Sequence, residues 1–341
     1  MSKSFLLTAA CLLLVLLVSC DESFNPSAAF QPRMVVYSIL TTESDTQYVR
    51  VYSSYNSPDY DPTKNPEEIS VKDAQVNVTE NGGSTMGFQP FTIDRSDTSH
   101  YKSAITAYRA YPFRPEREKT YTLTVSSASL GTATATTTVP GRGSILVVNE
   151  FVLSSPLSTR SDFGVQATLS PEAKGFLVRI YVDYLYSLDN TNYRMKRFEI
   201  PLARRVISCF WGLFEESYPH PKRRSTPTNA PWGSNYTQYG GPVEALPYST
   251  LAYLAKLSYI YDREGEGIRF QHAVVYLVQF DVPLWNYYGV ANMFQDPFSV
   301  RLDEASYTNI KNGTGVFGSM AVDSLVRPLP QVIPHMDPGC Y

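Results

Sequence analysis

Cysteine is scarce in this chain, with four residues, and tryptophan is scarcer, with three. Charged residues make up 18% of it, and the formal net charge is −3. Each shortage excludes something. A near-neutral balance lacks the basic excess that nucleic acid demands, so no nucleic-acid partner is expected. Sparse cysteine excludes a disulfide-dense miniature scaffold. Only His335 lies close in sequence to a late cysteine, which argues against a cysteine-based metal site. No hydrophobic run beyond the first 20 residues is long enough to span a bilayer. The best one, Ala273 to Val278, is short and reads as a buried strand. No repeat of fixed period is present, which excludes a propeller or solenoid. Catalytic signatures are missing too. There is no G-x-S-x-G elbow, no H-E-x-x-H and no phosphate-binding G-x-x-x-x-G-K-[ST]. The histidines His100, His220, His272 and His335 are scattered, and His272 reads as a satisfied core histidine within an apolar strand. The expectation is a protein that is no enzyme and uses no cofactor or metal. A triad is recognised by geometry, so an extracytoplasmic hydrolase of glycan or peptide remains the alternative.

What is present begins at the N-terminus. Lys3 precedes an apolar run from Phe5 to Val18, interrupted only by Thr8. That length suits a signal-peptide core and falls short of a spanning helix. It ends in Leu17-Val18-Ser19-Cys20, which resembles a bacterial lipobox. The resemblance implies cleavage after residue 19 and lipidation of Cys20. A single acyl chain holds a protein only marginally, whereas the two or three chains of such an anchor hold it permanently. Residues 20–32 then read as a tether, with Pro26 and Pro32 and no periodicity.

Short strands with alternating pattern follow. They include Met34 to Leu40, Tyr48 to Tyr52, Ala74 to Val78, Tyr101 to Ile105 and Thr120 to Val125, with turns at Asn81-Gly82-Gly83 and Leu130-Gly131. About seven strands in roughly 110 residues match an immunoglobulin- or fibronectin-III-like sandwich, assigned here to 33–140. Pro140-Gly141-Arg142-Gly143-Ser144 reads as a boundary. A second β-rich domain with a few short helices is assigned to 145–330, and a tail to 331–341. Phe176 to Val182 and Ile268 to Phe280 are its clearest strands. One helix is expected from Ser249 or Thr250, with Leu251, Leu254 and Ala255 on a face. Another is expected after Asp281 as N-cap, with Pro283 in its first turn. The fold class is therefore mainly β.

Of the cysteines that remain after Cys11 and Cys20, Cys209 and Cys340 can form a disulfide in an oxidising compartment, worth roughly 4–5 kcal/mol over so long a loop. Alternatively Cys209 packs beside Phe210 and Trp211, and Cys340 lies loose. The stretch from Trp211 to Tyr248 is rich in Pro, Gly and aromatics. Long irregular loops are often functional, so Trp211, Trp232, Tyr236 and Tyr239 are the candidate ligand-binding residues. Packing of these rings onto a sheet is the competing explanation. The acidic loop Asp59 to Glu68 lacks EF-hand spacing and reads as solvated. The basic clusters Arg194-Lys196-Arg197 and Lys222-Arg223-Arg224 read as solvated edges.

Near the C-terminus stand Asp296-Pro297-Phe298 and then Asn309-Ile310-Lys311-Asn312-Gly313-Thr314-Gly315-Val316-Phe317-Gly318. With the lipobox and the hairpin around Thr120 to Val125, this resembles a Bacteroidota outer-membrane lipoprotein family known as domain of unknown function 4249. Here Asp296 replaces the usual Asn, and the hairpin has Arg117-Glu118-Lys119-Thr120-Tyr121 in place of the usual glycine. The resemblance implies an outer-membrane lipoprotein with no established activity, in genetic proximity to TonB-dependent transporters. Asp21-Glu22 after the cysteine then resembles a surface-export signal, with the periplasmic face as the alternative. From the residues themselves, Asn312-Gly313 is a turn, and Gly315 and Gly318 flank a Val316-Phe317 pair that can insert into a core.

Overall fold

The computed structural model describes residues 30–55, 69–94, 104–149, 162–187, 191–208, 213–224, 243–264, 267–293 and 307–329. The first seven strands are β1 (Met34–Thr41), β2 (Gln47–Ser53), β3 (Gln75–Glu80), β4 (Thr85–Ile93), β5 (Ile105–Ala110), β6 (Thr120–Ser127) and β7 (Gly131–Thr138). Then come β8 (Ser144–Val148), β9 (Phe163–Thr168), β10 (Gly175–Tyr186), β11 (Arg194–Glu199), β12 (Ala203–Ser208), β13 (Leu213–Ser217), β14 (Lys222–Arg223) and β15 (Val243–Tyr248). The chain continues through helix α1 (Thr250–Glu264), β16 (Ile268–Phe280), helix α2 (Val282–Met293) and β17 (Gly313–Pro328). The protein is mainly β.

One large sheet runs β11-β10-β16-β17-β1-β2-β5-β4-β3-β6-β7, with β14 also paired to β10. Its second half curls over on itself. β4 makes the corner, pairing β3 through Thr85–Phe88 and β5 through Gln89–Ile93. Alternation drives this half. In β6 every second residue is buried, including Tyr121, Leu123 and Val125. The intervening Thr120, Thr122 and Thr124 pair across to Thr138, Thr136 and Thr134 on the wet face, where such polar cross-strand pairs stabilise by a few tenths of a kcal/mol, roughly. The inward residues form a first core of Met34, Val36, Val49, Val76, Tyr108, Leu123, Ala135 and their neighbours. Ile310 and Phe317, from the C-terminal stretch, belong to it as well.

A second core lies under β10, β11 and β16. Phe176, Val178, Ile180, Ala273, Val275 and Leu277 pack there against Phe163 and Val165 of β9, Leu246 and Tyr248 of β15, and Tyr253, Leu257 and Ile260 of α1. β8, β9 and β15 form their own three-stranded sheet, and β12 pairs with β13. α1 starts at Thr250, capped by Ser249, whose Oγ accepts the Ala252 N–H at 3.3 Å. Its buried face is Ala252, Tyr253, Leu254, Ala255, Leu257 and Ile260. Leu251 was expected on that face but is 49% exposed, because the stripe facing the core starts one residue later. Asp281 caps α2 as expected, its Oδ1 accepting the Leu284 N–H at 2.9 Å.

The two cores divide near the sequence boundary, Val139 belonging to the first and Val147 to the second. Yet β17 joins them. It is antiparallel to β16 from Met320 to Pro328 and parallel to β1 from Gly313 to Met320. The linker is also pinned. Gly141 N–H donates to Ser170 Oγ at 3.0 Å, and its carbonyl accepts from Arg117 at 2.8 Å and from Gln279 at 3.1 Å. Gly143 N–H donates to Asp323 at 2.9 Å.

Candidate functional site

The glycine motif is a clasp. Asn309 pairs its side-chain amide with the Phe317 backbone, donating to the carbonyl at 2.7 Å and accepting the N–H at 3.0 Å. Lys311 and Thr134 exchange backbone hydrogen bonds, so the segment seals the free edge of β7. Gly315 has φ +108, and a Cβ there would stand 2.0 Å from the Val36 carbonyl oxygen. Only glycine fits that parallel contact. A Cβ on Gly318 would meet Leu284 of α2 at 2.7 Å. Val316 and Phe317 between them are buried, as expected from the motif. This motif holds the fold: Asn309 and Asn312 also donate to the carbonyls of Thr136 and Thr132 on β7.

Behind the clasp sits one buried carboxylate. Asp281 hydrogen-bonds Thr137 of β7 and the Leu284 N–H of α2, while its own N–H donates to the Ser319 carbonyl at 3.1 Å. Thr137 and Ser319 hydroxyls lie 3.0 Å apart. Burial raises the Asp281 pKa to about 6, against those hydrogen bonds.

The cluster that meets solvent lies on the outer face of β11, β10 and β16, opposite the second core. Asp183 of β10 stands across from Arg197 on one side and His272 on the other. Arg197 Nε and Nη2 grip both oxygens of Asp183, at 2.5 and 2.8 Å. Arg197 Nη1 donates to the Tyr276 hydroxyl at 3.1 Å, and the guanidinium lies over the Tyr181 and Tyr276 rings at 5.6 and 5.5 Å. His272 Nε2 lies 2.9 Å from Asp183 Oδ2. Next along the face, Arg179 Nε is 3.4 Å from Glu199 Oε1. Arg197 holds Asp183 well below the usual carboxylate range, and burial pushes Glu199 up.

His272 is therefore no core histidine. The β10–β16 register shifts at Asp183/Tyr184, leaving Gln271 with no register partner on β10. That bulge returns Phe270 to the core and aims His272 outward, with 35% of its side chain exposed. Strict alternation could not reveal it. What could have is the pairing of one buried acid, Asp183, with a basic run eleven or more residues away.

The stretch read as a long irregular loop contains β13, β14 and the strand β15. The candidate residues Trp211, Trp232, Tyr236 and Tyr239 lie outside the described residues, as do Cys20, Cys209, Cys340 and the acidic loop. Among the described residues no group of three His, Cys, Asp or Glu is placed to hold a metal, and no helix is long and apolar enough to cross a membrane.

A family model described as a domain of unknown function (DUF4249) matches residues 21–325. The chain belongs to this family. The clasp and the Asp183–Arg197 cluster both fall within the matched DUF4249 region. No curated protein matches the chain.

Proposed function

We propose that this protein is a lipid-anchored accessory or binding protein of the outer membrane, displayed at the cell surface and acting with a TonB-dependent transporter. The lipobox-like Leu17 to Cys20 and the acids Asp21-Glu22 support the anchor and its destination. A tethered domain diffuses in the membrane plane, so weak contacts to a neighbouring membrane protein gain from high effective concentration. The observation that carries the binding role is the Arg197 platform. A guanidinium fixed by a buried carboxylate and a tyrosine hydroxyl is pre-organised for contact, which lowers the entropic cost of association. Affinity purification from detergent extracts on a C-terminal tag, with and without crosslinker, is expected to bring down an outer-membrane barrel. A clean monomer in both would remove the transporter. Labelled fatty acid is expected to enter the wild type and not Cys20→Ala.

A hydrolase is the second reading, favoured by one observation. Glu199 and Asp183 share a face and their pKa values are displaced in opposite directions, the environment that assigns acid and base in glycosidases. Against it, both Asp183 oxygens are already engaged. Turnover of a glycan or peptide that disappears in Glu199→Gln would establish it; no turnover by the wild type across such substrates would end it.

A further inference from the structure

The two basic clusters of the sequence come together on one sheet edge. β10 is flanked along its whole length by β16 on one side. On its other side it pairs with β11 through Tyr181–Tyr186 and with β14 through Gly175 and Phe176. Arg194, Lys196 and Arg197 therefore line the same edge as Lys222, Arg223 and Arg224, over about 36 Å of strand. Among the described residues neither β11 nor β14 has a second strand neighbour.

The charges are layered. Arg197 is 45% exposed over Asp183 at 7%, and Lys196 is 39% exposed over Glu264 at 8%. Arg194, Lys222 and Arg223 are exposed. Arg224 donates to the carbonyls of Ser170, Pro171 and Ala173, which fixes β14 in place without neutralising the charge. Solvent meets cations; the carboxylates lie beneath.

We propose that the edge formed by β11 and β14 docks an acidic, extended segment of a partner polypeptide. An open strand edge offers rows of backbone donors and acceptors that a polypeptide can match and a glycan or lipid cannot. The cations choose among polypeptides. They repel a second copy of the same edge, as charged edges do in soluble proteins, and attract a strand carrying carboxylates. Arg197, held rigid by Asp183, offers its remaining N–H groups in the β11 part of the edge.

The inference rests on the binding role proposed above, but on neither the anchor nor the transporter. The test uses the full chain in detergent and a fluorescent alternating Glu-Val decapeptide. A Lys-Val decapeptide, polygalacturonate and phosphatidylglycerol vesicles serve as the other arms. The acidic peptide is expected to bind and to weaken as salt rises. The variant Arg194→Gln/Lys222→Gln/Arg223→Gln, three exposed side chains, is expected to melt as the wild type does and to bind about tenfold more weakly. Equal binding by that variant, equal binding of the Lys-Val peptide, or preference for polygalacturonate or vesicles would overturn the proposal. A barrel that co-purifies equally well with this variant, while its peptide binding is also unchanged, keeps the transporter and removes the edge. Peptide binding without any co-purifying barrel does the reverse.

Discussion

The first core and the second are built on different principles. The first is a curled sheet of hairpins in which β1, β2, β6 and β7 alternate cleanly between inward and outward residues. The second gathers a sheet, a smaller sheet and a helix, and it carries charge on its outer face and hydrogen-bonded polar groups where it meets the first. Local pattern accounts for most of the one, whose exceptions are Ile310 and Phe317 from the C-terminal stretch. The other depends on contacts between residues far apart in sequence. β17 belongs to both, so the two differ in construction without being independent in stability.

Breaking that shared strand has the largest expected effect. Gly315→Val places a side chain against the Val36 carbonyl at a φ that only glycine tolerates. It is expected to cost more than about 4 kcal/mol and to abolish cooperative unfolding of both cores in urea. If only one core melts early, the cores are energetically separate. Phe317→Ala empties a fully buried site in the first core and is expected to cost about 3–5 kcal/mol. Hydrogen exchange should then accelerate in β1, β2 and β6 more than in β9 and β10.

Asp281 tests the junction. Its folded pKa of about 6 lies above the unfolded 3.8. Between those values the native state binds more protons, so stability falls as pH rises through that window and levels above it. Asp281→Asn mimics the protonated form. It is expected to be more stable than wild type at pH 7, by about 2–3 kcal/mol, and equal near pH 3. Urea midpoints at both pH values decide it, and a less stable variant at pH 7 would show that the charged hydrogen bonds outweigh burial. Asp183→Asn has the opposite sign. Its carboxyl pKa is depressed, so its contribution is present above the unfolded value and vanishes as pH falls through the folded one. With half-exposed partners the expected loss at pH 7 is about 1 kcal/mol. The smallest effect is expected from Leu251→Gln on the exposed side of α1, within about 0.5 kcal/mol by thermal melting.

Much of the first core was legible because period-two alternation and glycine turns are local signals. β4 escaped notice because Gly87 and Pro90 break its pattern at the corner where it changes partners. The caps of both helices were legible for the same local reason. The parallel pairing of β17 with β1 was not, since pairing leaves no mark on periodicity. The motif around Gly315 pointed to a buried Val-Phe pair but not to the strand that receives it. The charged face was invisible for two reasons. His272 reaches it through a bulge, and Arg197 reaches Asp183 across a strand pair. The two basic runs looked like separate solvated edges, and only the pairings of β10 place them together.

The parallel strand also sets the order of assembly. Thr137 and Ser319, which touch in the finished protein, are 182 residues apart. A chain growing from its N-terminus therefore completes β1 to β7 long before the strand that closes them exists. Through that interval β1 has an open edge and the pocket for Phe317 is empty, the conditions under which sheets pair with the wrong chain. Loop closure of this length slows folding as well. The last strand thus acts as a checkpoint on synthesis: a chain that stops short of Gly313 leaves its first core open, and whatever escorts the protein must shield that edge until the end of the chain arrives.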